Sequence, residues 1–160
     1  MTSPQPKRDI REQFDIATGL KRAEPEPDEN LGPGEDFPKG PYVHVAEYIP
    51  VRQWGQVFPC MKLSMGIYRH ARDCEGFLAG GIRAKWWRRQ FWSYTVWADR
   101  DSMLRFVHSG PHGRVIPMIS GLAAPGACYV EWISMSPPDW EEAMQRLSTP
   151  TRYFAPPTLR

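Results

Sequence analysis

Residues 91–119 read FWSYTVWADRDSMLRFVHSGPHGRVIPMI, and the way this stretch divides decides the fold. Phe91 to Trp97 are aromatic, β-branched or small, a composition that suits a pleated strand. Trp92, Tyr94 and Val96 point one way; Phe91, Ser93, Thr95 and Trp97 point the other. Neither set is strongly polar, so both faces of this strand are expected to be covered. Asp99 then stands where a helix N-cap is needed, and Asp101 complements the helix dipole. Met103, Leu104, Phe106 and Val107 form an apolar stripe at helical spacing. Ser109-Gly110-Pro111 ends that helix, and Pro111 suits the first turn of another. His112, Val115, Ile116 and Ile119 continue the apolar pattern, with Pro117 as a kink.

Working outward, the spacing predicts a strand over 42–51, where Val43, Val45, Glu47 and Ile49 alternate against Tyr42, His44, Ala46 and Tyr48. A helix follows over 58–72, with Phe58, Met61, Met65 and Tyr68 as its apolar stripe and Trp54 leading into it. A second strand covers 77–87, bent at Gly80-Gly81. Trp86-Trp87-Arg88-Arg89 straddles a hairpin that returns as the 91–97 strand. After the two helices, 127–134 is the fourth strand. Pro137-Pro138-Asp139 introduces a last short helix over 140–147. The ending TPTRYFAPPTLR shows no regular pattern.

The order βαββαβ is the ferredoxin-like α+β arrangement, an antiparallel sheet with helices on one face. Its other face would carry large side chains on all four strands, more apolar surface than a monomer normally exposes. A second copy, a ligand, or both are expected to cover it. That is the physical reason to expect a homodimer.

Composition narrows the class. In 160 residues, 20 basic and 18 acidic side chains nearly cancel, which is not the profile of a dedicated nucleic-acid binder. Residues 1–40 hold nine acidic and six basic residues, and residues 41–160 hold nine and 14. The folded part thus leans slightly toward an anionic partner. Seven prolines and few apolar residues in 1–41 predict a disordered tail. The domain is expected over 42–154, with 155–160 as a C-terminal tail. Three cysteines without a metal-binding spacing, and no apolar run of membrane or secretory type, point to a cytoplasmic protein without membrane contact.

The segment SYTVWADRDSMLRFVHSGPH resembles the strand-ending Trp, acidic cap, helix, short gap and His of the dimeric α+β barrel superfamily. It is most similar to a branch beside antibiotic-biosynthesis monooxygenases and spheroidene monooxygenase. The ending YVEWISMSPPDWEEAMQRLSTPTRYF is similar to that branch too, so the resemblance covers about residues 42–154. It implies a homodimer with a pocket between each sheet and its helices. Some relatives oxidise polycyclic aromatic substrates without a cofactor, and others bind haem. The matching positions are Trp97, Phe106 and His112; His108 has no place in the pattern. One fold hosts many activities, so the resemblance speaks more to fold than to reaction.

The candidate residues follow. His112 opens a helix between two glycines, so a planar ligand could come close. It is either a proton-transfer group or haem ligand, or a histidine that pins the helical break. His44 and Glu131 interrupt apolar strands; either they pair structurally or they line the cavity as acid–base groups. Trp92, Tyr94, Trp97 and Phe106 would wall the pocket, with His112, His44 and Arg83 orienting polar substituents. His108 and His112 are too interrupted by Gly110-Pro111 to share a metal. The Trp86–Arg89 cluster is read as a hairpin tip rather than a nucleic-acid platform. Two functions stand: a monooxygenase-like enzyme acting with molecular oxygen on a hydrophobic cyclic molecule, with haem or no cofactor, or a non-catalytic ligand-binding or dimerisation domain.

Overall fold

The computed structural model describes residues 39–157. The expectations for residues 1–38 and 158–160 lie outside them. The elements run β1 (Tyr42–Pro50), α1 (Val57–Asp73), β2 (Phe77–Lys85), β3 (Gln90–Trp97), α2 (Arg100–His108), α3 (Gly110–Leu122), β4 (Cys128–Ser134), α4 (Trp140–Arg146) and β5 (Arg152–Tyr153). The strands form one antiparallel sheet in the order β2-β3-β1-β4-β5. The ferredoxin-like α+β class is borne out. No described helix is long and apolar enough to cross a membrane.

β1 lies at the centre, and its register sorts the side chains. Ala46 sits opposite Tyr94 on one side and Val130 on the other, while Glu47 sits opposite Ser93 and Tyr129. Because side chains alternate along a strand, His44, Ala46, Tyr48, Tyr94, Trp92 and Trp132 share one face. Val43, Val45, Glu47, Ile49, Ser93, Thr95, Trp97 and Glu131 share the other. Helices α1, α2 and α3 pack on this second face. Phe106 and Met103 of α2 and Ala71 of α1 close over Val43 and Trp97. Val57 and Cys60 of α1 close over Phe91.

Local chemistry explains the joints. Asp99 is the α2 N-cap: Ser102 donates both its backbone N–H (2.7 Å) and its hydroxyl (2.9 Å) to the Asp99 carboxylate. These bonds hold the Asp99 carboxyl below its usual range. Gly76, with φ at 82°, turns the chain from α1 into β2 where a Cβ would run into the Ser102 side chain. Gly80 lets β2 approach β3, since a Cβ there would lie 2.7 Å from the Tyr94 carbonyl oxygen.

Three expectations are corrected. The sheet face away from α1–α3 is not open. Trp140 and Ala143 of α4 pack into a core with Tyr42, Trp92, Tyr94, Val96 and Trp132, all buried. The premise of an uncovered apolar face therefore fails within the single chain. The ending is not patternless: β5 pairs Tyr153 with Cys128 and Arg152 with Tyr129, and Gly126 N–H donates to the Ala155 carbonyl. Two paired residues leave no periodicity to detect. Finally, Phe58 is 68% and Trp54 59% exposed. The buried side of α1 runs through Val57, Cys60, Tyr68 and Ala71, so the expected stripe is partly out of phase.

Candidate functional site

A cavity of about 550 Å³ lies between the sheet and α1–α3, within the size range of small-molecule sites. Its floor is Val45, Glu47 and Ile49 of β1, Ser93, Thr95 and Trp97 of β3, and Tyr129 and Glu131 of β4. Leu63 and Ile67 of α1, Phe106 of α2, and His112, Val115 and Ile119 of α3 close it. Trp97 is fully buried, stacks on Phe106 at 5.0 Å and meets Phe77 edge-on at 5.5 Å.

The polar groups on the floor are tied down. Ser93 donates its hydroxyl to Glu47 at 2.7 Å. Trp97 Nε1–H donates to Thr95 Oγ1 at 3.0 Å. Arg100 Nε donates to Glu131 Oε1 at 2.8 Å, joining the start of α2 to β4. His112 Nδ1 lies 3.2 Å from the Val107 carbonyl, and its ring leans on Phe106 with centroids 4.7 Å apart. A carbonyl only accepts, so Nδ1 carries the hydrogen and Nε2 of the neutral ring keeps its lone pair. His112 thus pins the α2–α3 break and also lines the cavity.

The candidate residues divide between the two faces. His112, Trp97, Phe106 and Glu131 line the cavity together. Trp92 touches it from its strand, but its ring stacks on Tyr48 at 5.3 Å across the sheet. His44, Tyr94 and Arg83 stand on the sealed face. His44 Nδ1 lies 2.7 Å from the Tyr94 hydroxyl, which accepts from Asp139 N–H at 3.3 Å. His44 Nε2 is buried without a hydrogen-bond partner among the described residues. Trp132 stacks on the His44 ring at 4.9 Å, and Arg83 lies over Trp140 at 4.5 Å. Burial lowers the His44 pKa to about 4 and pushes the Tyr94 phenol well above its usual range. His44 is therefore neutral near pH 7. His44 and Glu131, the two polar interruptions of the strands, do not meet.

Glu47 carries no sequence signal of its own. It reads as one alternating position in a strand, and only the β1–β3 register places it beside Ser93 on the cavity floor. No cluster of three metal-ligating side chains exists among the described residues. Among the residues that line the cavity, His108 and His112 are the ones whose ring nitrogens would hold a haem iron.

No family model matches the sequence, and neither does any curated protein. Solved structures do share the fold. An antibiotic biosynthesis monooxygenase superposes with a TM-score of 0.51 at 14% identity, over 57% of this chain and 97% of its own. A conserved protein from Methanosarcina mazei gives 0.52 at 15%, over 57% and 91%. A protein from Bacteroides thetaiotaomicron, described as a "Possible Oxidoreductase", gives 0.52 at 12%, over 59% and 98%. The chain shares its α+β fold with these structures. At these identities the likeness is one of fold.

Proposed function

We propose that this protein is a monooxygenase-like enzyme acting with molecular oxygen, and no resident cofactor, on a hydrophobic cyclic molecule held in the cavity. The observation that carries the reading is His112. Its Nδ1–H is held by a carbonyl, its Nε2 lone pair is left available, and it shares an apolar cavity with Trp97 and Phe106. The antibiotic biosynthesis monooxygenase with the same fold supports the class of chemistry. In this reading Nε2 takes a proton from an activated ring CH₂ of the substrate. The carbanion reduces oxygen and forms a C–O bond. Loss of water, using the returned proton, leaves a ring ketone: one CH₂ and one O₂ become one C=O and one H₂O. A cytoplasmic homodimer belongs to the same proposal; with the sheet face sealed, the exposed Trp54, Phe58 and Trp87 are the apolar surface offered to a second copy.

An oxygen electrode tests the activity with a tricyclic aromatic ketone bearing an acidic CH₂. Uptake of one O₂ per substrate is expected, slowed roughly 100-fold or more by His112→Ala. Ligand binding without oxygen uptake would instead make the cavity a carrier site.

A further inference from the structure

We infer that the cavity selects a ligand bearing a protonated amine, and that Glu47 is the residue that receives it. This deepens the proposal above and rests on the cavity being a ligand site. Glu47 stands on the central strand, in the middle of the floor, half-buried. The other carboxylate that lines the cavity, Glu131 of β4, is paired with Arg100 at 2.8 Å. Glu47 has only the Ser93 hydroxyl, at 2.7 Å, and no cation within ion-pair distance among the described residues.

A hydroxyl donor orients a carboxylate but leaves its charge in place. When a ligand fills the cavity, water leaves and that charge loses its solvation. An anionic ligand makes this worse, and a neutral one leaves it uncompensated. An ammonium group restores the balance through a charge-assisted hydrogen bond. The surrounding rings favour the same charge. Trp97, Phe106 and Tyr129 line the cavity around the two carboxylates, and aromatic faces attract cations most strongly where water is excluded. Arg100 and Arg152 also line the cavity; Arg100 is taken up by Glu131, and Arg152 forms no ion pair with Glu47.

Three probes of nearly equal size test the inference: 1-naphthylmethylamine, 1-naphthalenemethanol and 1-naphthoate, each titrated at pH 7.4 against the full chain. The amine is expected to bind about tenfold more tightly than the alcohol, with the carboxylate weakest. Glu47→Gln should bring amine and alcohol within about twofold, while Glu131→Gln should preserve the preference. Equal binding of amine and alcohol to the unaltered protein would overturn the inference without any variant, and so would a preference that survives Glu47→Gln. In both cases the cavity would remain a ligand site. Failure of all three probes to bind would overturn the cavity reading along with the inference.

Discussion

His44 and Glu47 are three residues apart on one strand and do opposite work. His44 is fully buried on a face filled by Tyr94, Trp132 and Trp140, whose rings pack against one another. Glu47 faces a hollow of about 550 Å³. Both are polar residues in an apolar strand, and the pleat alone sends them to different solvents. The difference teaches that a polar interruption is no sign of a site until its face is known. On the packed face it must be neutralised; on the hollow face it can remain charged for a partner.

The largest effect should come from breaking the packed face. Tyr94→Ala removes a fully buried ring and should cost about 3–5 kcal/mol, read by urea unfolding, with the cavity's affinity for a naphthalene probe little changed in the folded fraction. A loss of affinity without loss of stability would reverse the assignment of the two faces.

Next is the pH dependence of that face. The folded-state pKa of His44, about 4, lies below the ordinary value of 6.5. Between these values the unfolded chain binds a proton that the folded chain refuses. The stabilisation is full above about pH 6.5 and is lost as pH falls toward 4, by on the order of 2 kcal/mol. His44→Phe should flatten this slope in denaturation curves taken at pH 4.5 and 7; an unchanged slope would assign it to other groups.

His112 should behave as a mixed case. Its removal leaves the Val107 carbonyl without its donor and takes one ring from Phe106, for about 1 kcal/mol. Probe affinity should fall as well. A drop in the melting point with affinity untouched would confine His112 to the helical break. The smallest effect belongs to Glu131→Gln, because the Arg100 partner is 58% exposed; about 0–1 kcal/mol is expected by thermal melt.

The fold was legible because its signals are local. The strand over 91–97, the Asp99 cap and the Gly110-Pro111 break each rest on a few adjacent residues, and the structure repeats them in β3, α2 and α3. The site was legible only in part. Trp97, Phe106 and His112 line one cavity. His44, Tyr94 and Arg83 do not join them, because alternation shows that two faces exist but not which one the helices leave hollow. Glu47 was invisible for the same reason, since its meaning comes from a register with Ser93, 46 residues away. The closing of the far face by α4 brings Trp140 and Ala143 against Tyr94 and its neighbours, contacts no periodicity encodes.

The separation of the two faces is tested most directly by following the indole N–H signals of Trp97, Trp132 and Trp140 by NMR while 1-naphthalenemethanol is titrated in. Trp97, bonded to Thr95 beside the cavity, should shift in a saturable manner while Trp132 and Trp140 stay in place. Shifts confined to Trp132 and Trp140 would put the ligand on the sealed face and contradict the account.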